Sequence, residues 1–153
     1  MSFRFATEKD ADLLYKWVND AVARENSYNP APVDYNTHVD WFSKRIHAEN
    51  YYFYIFTMDD KYEVGQVRIE KGNRPEEATI SITVDENIRG KGHSSQMLRL
   101  ASLDFLEKNQ GFKILAYIFK TNSASYRSFS KAGYELLKEA IVKDIPSYIL
   151  YKQ

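Results

Sequence analysis

Hydrophobic and polar positions change period several times along the chain, and each change marks an element. Phe3 and Phe5 fall on one side of an alternating segment, residues 2–6, which predicts a strand. Thr7-Glu8-Lys9-Asp10 then has the spacing of a capping box. The helix it opens is expected to bury Leu13, Leu14, Trp17, Val18 and Ala21, which recur at helical spacing. Pro30 and Pro32 predict an ordered loop over residues 24–33. A second helix is expected over 34–48, because Tyr35, Val39, Phe42 and Ile46 share a face; His38, Trp41 and Arg45 fall together on a different one.

From Tyr51 the pattern becomes that of strands. The aromatic run 51–57 and the run 64–70 read as a hairpin across Asp59-Asp60, and Ala78, Ile80, Ile82 and Val84 alternate with Thr79, Ser81 and Thr83 in a third antiparallel strand. Met97, Leu98, Ala101 and Phe105 restore the helical period up to Gly111. A strand over 112–119, a short helix over 122–132 stopped by Gly133, and two final strands parted at Pro146 complete the chain. The predicted order is β-α-α-β-β-β-α-β-α-β-β: an α/β protein of the α+β type, with six or seven mostly antiparallel strands and about four helices. A length of 153 residues with no repeat or Pro/Gly-rich linker predicts one domain, residues 1–153.

Composition narrows the class. Apolar residues make up 44% and charged residues 27%, ordinary for a globular chain. Lys plus Arg and Asp plus Glu each number 21, so no global basic field exists to hold nucleic acid. With no cysteine, disulfides, thiolate metal sites and a cysteine nucleophile are all excluded. No metal site is expected. The N-terminus lacks the pattern of a signal peptide and no long uncharged apolar run occurs, so the expectation is a soluble cytoplasmic protein without a membrane partner.

Chemistry concentrates in residues 84–98. A strand delivers Arg89-Gly90-Lys91-Gly92-His93-Ser94 and Ser95 to a helix start, where two glycines let the backbone approach a ligand and free N–H groups stand at the positive end of the dipole. Such an arrangement is suited to phosphate or pyrophosphate. It lacks the third glycine of the dinucleotide fingerprint and the Gly-Lys-Ser/Thr of the Walker sequence.

The loop resembles that of the GNAT superfamily of acetyl-coenzyme A dependent N-acetyltransferases, written (Gln/Arg)-x-x-Gly-x-(Gly/Ala). Arg89 and Gly92 match and Ser94 replaces the last small residue. Asn122, Ser125, Phe129 and Gly133-Tyr134 reproduce the spacing of a second mark of that family. The resemblance implies acetyl-coenzyme A as co-substrate, held by the backbone of Ile82 and Val84 in a strand that splays from its neighbour, by residues 89–95, and by Asn122 and Ser125. It further implies acetyl transfer to a primary amine. With no cysteine, direct attack is the natural path.

Many such enzymes carry a tyrosine where this chain has Phe129, so Tyr126, one turn earlier, is the candidate acid for the departing thiolate. For the base, His38, Glu70, acids near the central strand and a water relay all stay open. In the first third, Trp17-x-Asn19-Asp20, Arg24, Ser27 and His38-x-x-Trp41-Phe42 resemble acetyltransferases acting on amino sugars linked to nucleotides in surface-polysaccharide pathways, including pseudaminic acid biosynthesis. The expected acceptor is then a small-molecule amine, a nucleotide sugar, bound by Arg24, His38, Trp41 and Arg45; a homodimer is compatible. Protein or peptide N-acetylation and a non-catalytic coenzyme A-binding module are the alternatives.

Overall fold

The structure, a computed structural model, describes residues 1–153. Twelve elements follow one another: β1 (Ser2–Phe5), α1 (Ala11–Val18), α2 (Ala21–Glu25), α3 (Tyr35–Arg45), β2 (Tyr51–Met58), β3 (Tyr62–Lys71), β4 (Glu77–Val84), α4 (His93–Lys108), β5 (Lys113–Phe119), α5 (Ser123–Lys131), β6 (Glu135–Val142) and β7 (Ile145–Lys152). The strands form one sheet in the order β1-β2-β3-β4-β5-β7-β6, antiparallel except for β4 beside β5. This is the expected fold class with one more helix.

Alternation along the strands sends side chains to two faces, and both are covered. On one face Tyr54, Phe56, Val67, Ile69, Ala78 and Ile80 pack with Met97, Leu98, Ala101 and Phe105 of α4. On the other, Phe53 and Ile55 of β2 meet Leu14 and Trp17 of α1 and Phe42 of α3. The second core ends at β2. Farther across that face, Gln66, Arg68 and Glu70 of β3 stand opposite Thr83, Ser81 and Thr79 of β4, a polar strip in the middle of the sheet.

Three sequence expectations are corrected. The first helix stops at Val18 because Asp20 caps a new one, its carboxylate accepting from the Ala23 N–H at 3.0 Å. Ala21 is therefore exposed rather than buried, and residues 21–25 of the expected helix tail and loop form α2. The last hairpin turns at Lys143-Asp144, both at positive φ, and Pro146 lies inside β7 opposite Ile141. That proline is tolerated because it lies just past the last β5–β7 pair, Phe119↔Ser147, where its carbonyl still accepts the Lys120 N–H at 3.0 Å and a single donor is lost at the sheet's end.

Gly65 is required by packing. A Cβ there would stand 2.3 Å from the Thr83 carbonyl oxygen and 2.8 Å from Met97 Cε. Gly65→Ala should therefore lower stability by about 1–3 kcal/mol, as overpacking does, and thermal denaturation should show a depressed Tm. An unchanged Tm would mean that β3 and β4 yield easily at this point.

Two buried carboxylates tie the first third to the sheet. Asp10 takes both Arg4 guanidinium nitrogens at 2.8 Å and the Thr7 N–H at 2.7 Å; the Arg4 bonds outweigh burial and hold its pKa below the usual carboxylate range. For Asp85 burial works upward, but bonds from Trp17, the Asn87 backbone and Lys16 prevail and the pKa is again lowered. A carboxylate with a depressed folded pKa stabilises above its unfolded pKa of about 4 and loses that contribution as pH falls through the folded value. Denaturation midpoints should accordingly be flat above about pH 5 and fall below about pH 4.

Candidate active site

The only parallel pair in the sheet creates the site. β4 and β5 are in register from Glu77↔Lys113 to Thr79↔Leu115, and beyond that they part. β4 stays paired with β3 up to Val84↔Gly65, and β5 stays paired with β7, so residues 80–84 have a strand on one side only. The gap opens into a cleft of about 800 Å³, lined among others by Ile82, Val84, Arg89, Gly90, Gly92, His93, Ser94, Asn122 and Ser125. All nine are residues that the sequence motifs mark. Lys91 is exposed and, like Ser95, is not part of the lining.

Both glycines of the loop are in the left-handed region, at φ 76° and 81°, and a Cβ on either would meet no atom within 4 Å. Their need for glycine is thus conformational, and the space in front of them is open. Gly92 caps α4, whose first turn leaves its N–H groups without intrahelical partners, directed at the cleft. The start of α5 faces the same cleft, with Asn122 capping it by accepting from the Ser125 N–H at 3.2 Å. Two helix N-termini and a free strand edge converge on one opening, a field that favours an anion.

The hydroxyls behave differently from expectation. Ser128 donates to the Ala124 carbonyl, leaving its oxygen to accept from Ser94 at 2.6 Å. Ser95 donates to the Gly92 carbonyl at 3.4 Å. Ser94 therefore clasps α4 to α5, and the donors the loop keeps free toward the cleft are backbone N–H groups rather than its serine hydroxyls. Arg89 is also committed: it forms an ion pair with Asp20, fastening the loop to the start of α2. Asp20, which the sequence marks as part of the first-third resemblance, so serves both α2 and the loop.

The loop is anchored from beneath by Asp85. Its side chain accepts from Trp17 Nε1 at 2.9 Å and from the Asn87 N–H at 3.0 Å, with Lys16 at 3.4 Å. Trp17 is core, as its helical spacing allowed, but its indole N–H holds the loop.

Residues 19–33 form a strap over the cleft. Asn19 fixes its two ends by a reciprocal pair with Val33, at 2.9 and 2.7 Å, and Arg24 Nη1 holds the Asn29 and Ala31 carbonyls from within. Tyr28 reaches the far side. Its ring stands edge-on to Phe119 with centroids 4.8 Å apart, and its hydroxyl meets that of Ser147 at 2.6 Å. Ser147 donates to the Ile145 carbonyl, so Tyr28 is the donor in that pair.

Two groups of expected residues are not brought into the cleft. Tyr126 stands edge-on to Tyr148 of β7 with ring centroids 4.9 Å apart, outside the lining, because three helical residues rotate it about 60° from Phe129, which does line the cleft. The acid role assigned to Tyr126 is not supported by this placement. His38, Trp41 and Arg45 also lie outside the lining. His38 is 4% exposed, with its Nε2 3.1 Å from the Ala11 carbonyl, and burial lowers its pKa; it packs parallel to Phe42 in the second core. Arg45 bonds Tyr51 and the Trp41 carbonyl, a buttress between α3 and β2. Of the acceptor residues marked in sequence, only Arg24 lines the cleft, as does Glu70 among the candidate bases.

Tyr28, Gln66 and Arg68 were missed. For Gln66 and Arg68 a signal existed: they alternate with Val67 and Ile69 in a strand flanked on both sides, so an opposite polar face had to be covered by something. Tyr28 carried none, since its role depends on a chain segment 119 residues away.

Comparison with known proteins agrees with this geometry. The sequence profile of the family described as acetyltransferase (GNAT) domain matches residues 1–135. A Bacillus subtilis (strain 168) protein named "Putative phosphinothricin acetyltransferase YwnH" is 29% identical over 140 residues, 88% of this chain and 83% of that protein. Among solved structures, spermidine N-acetyltransferase from Vibrio cholerae in complex with coenzyme A and spermine superposes with a TM-score of 0.85 at 14% identity, covering 99% of this chain and 94% of that one. Aminoglycoside acetyltransferase AAC(6')-Ib in complex with coenzyme A gives 0.82 at 20% identity, with the same coverage.

Proposed function

The chain belongs to the GNAT acetyltransferase family, and from that premise we propose that it transfers the acetyl group of acetyl-coenzyme A to the primary amine of a small molecule, within a single domain formed by residues 1–153. The observation that carries this reading is the parting of β4 from β5 directly in front of the glycine loop. Acetyl-coenzyme A supplies the activated acetyl thioester. The residues fit such a molecule: the free edge of Ile82 and Val84 offers backbone groups to an extended amide-bearing arm, and the first turn of α4 with Gly90 and Gly92 offers N–H groups and empty space to a pyrophosphate.

The protein's own part in catalysis is placement and polarisation. A backbone N–H near the open end of β4 is positioned to stabilise charge developing on the thioester oxygen, an effect worth about 3 kcal/mol per donor in acyl-transfer enzymes. With no cysteine to form a thioester intermediate, direct attack by the amine is the natural route. Glu70, the one acidic side chain lining the cleft, is the candidate to accept a proton from the incoming ammonium. Tyr28 and Tyr117 bring phenols to the cleft, and the Tyr28 proton is already given to Ser147.

The acceptor we favour is an amino group on a nucleotide-linked sugar. Its support is the resemblance in the first third, since Asn19, Asp20 and Arg24 of that signature build the strap and Trp17 anchors the loop beneath it. A cytoplasmic setting and a homodimer belong to the same reading; exposed Leu136, Leu137 and Ile141 on the outer strand β6 support self-association. No helix is long and apolar enough to cross a membrane.

The test is thiol release from acetyl-coenzyme A over a panel of amines, with the product identified by mass spectrometry. Release matched by an acetylated amine is expected. Coenzyme A binding without acetylation of any amine, including short peptides, would make the protein a binding module instead.

A further inference from the structure

The chain has no net charge, yet the cleft is strongly basic. Arg24, Arg68, Arg89 and Lys143 line it against a single acid, Glu70. Arg89 belongs to the loop and is neutralised by Asp20, which leaves Arg24 and Arg68 on the strap side. Arg68 forms no ion pair and no hydrogen bond. Its guanidinium lies 5.1 Å from the centroid of the Trp41 ring, on which Arg45 also rests at 5.0 Å, a cation–π contact that leaves its N–H donors unused. Arg24 leaves its Nε buried with no partner.

Desolvation pulls the Arg68 pKa down, and repulsion from Arg45 and Arg24 adds to this against the attraction of Glu70. Arg68 has two further guanidinium groups, Arg45 and Arg24, within electrostatic reach, and both Arg68 and Arg24 have unused donors, an arrangement that costs stability unless an anion joins it. Ser81, directly opposite Arg68 on β4, offers no charge to offset it. Glu70 stands two residues further along the same face of β3.

We propose that the strap side of the cleft is an anion subsite, formed by Arg68 and Arg24, and that the amine acceptor carries a carboxylate or phosphate group which this subsite binds. The inference rests on the acetyl-transfer reading and specifies its acceptor. Glu70 meets the ammonium end of the same molecule, so the site matches an acceptor bearing both charges. Polycationic amines, such as the spermine in complex with the Vibrio cholerae enzyme, are disfavoured here by two unneutralised arginines.

Two measurements separate this inference from the reading beneath it. In the first, thiol release is compared for an α-amino acid, glucosamine 6-phosphate, a nucleotide-linked amino sugar, glucosamine and spermidine, which distinguishes carboxylate from phosphate sources. Turnover confined to the anion-bearing amines is expected, and Arg68→Ala should raise their KM about tenfold or more while sparing the KM of acetyl-coenzyme A. Arg68→Met keeps a long apolar side chain while removing the charge and should show the same loss. In the second, inorganic phosphate is titrated into the protein saturated with coenzyme A, and calorimetry should detect binding that both variants lose. Phosphate binding of this kind upholds the subsite even where no amine is acetylated, in which case the transfer reading alone fails. Equal efficiency on spermidine, or acceptor and phosphate affinities unchanged in both variants, would overturn the inference.

Discussion

Gly92→Glu is expected to abolish acetyl-coenzyme A binding and leave a folded protein. Gly92 adopts φ 81°, where an L-residue costs roughly 1–2 kcal/mol, a loss that a domain of ordinary stability of about 5–15 kcal/mol survives. The larger effect is electrostatic. A Cβ at this position points into open space, so the carboxylate would extend into the region in front of the α4 N-terminus. There it would take the very N–H groups and dipole field meant for a pyrophosphate, and it would repel that group as a like charge. Gly92→Ala separates the two contributions, since it carries the strain without the charge. Calorimetry should show weakened binding for alanine and none for glutamate, with circular dichroism confirming that both fold. A glutamate variant that binds normally would remove the loop from the cofactor site.

The second large effect is expected from Asp85→Ala. Asp85 is 7% exposed and holds together α1, through Trp17 and Lys16, and the loop, through Asn87. Its removal strands the buried Trp17 N–H at a cost of about 1–3 kcal/mol, which corresponds to a fall in Tm of about 3–10 °C for a chain of this size. It also frees residues 86–92 from their only side-chain anchor to α1, so affinity for coenzyme A should weaken although Asp85 does not line the cleft. Asp85→Asn retains one acceptor oxygen, and its Tm and affinity should fall between wild type and alanine. A drop in Tm with unchanged affinity would show that the loop keeps its shape without this support.

The sequence disclosed those parts of the molecule that local rules govern. The capping box of Thr7 and Asp10, the alternation along β4 and the glycines of the loop act within a few residues of themselves, and all are found where spacing put them. Errors arose where a residue's partner is distant. Ala21 fits the helical period of its predecessors, but Asp20 finds better use as the cap of α2 and the partner of Arg89. Pro146 reads as a strand break, yet it falls just past the last β5–β7 pair, and where β5 ends is set by tertiary structure. His38, Trp41 and Arg45 do share a helix face, as their spacing required, but that face packs against α1 and β2, and it bears on the cleft only through the contact of Trp41 with Arg68.

The central claim is that acetyl-coenzyme A lies along the free edge of β4 with its pyrophosphate on the start of α4. Amide hydrogen exchange with and without coenzyme A tests this most directly, because residues 80–84 have a strand on one side only and the first turn of α4 has N–H groups without intrahelical partners. Slower exchange is expected in residues 80–84 and 89–95 and at the start of α5, with β1, β2 and β6 unaffected. Protection absent from residues 80–84, or confined to the strands away from the cleft, would contradict it.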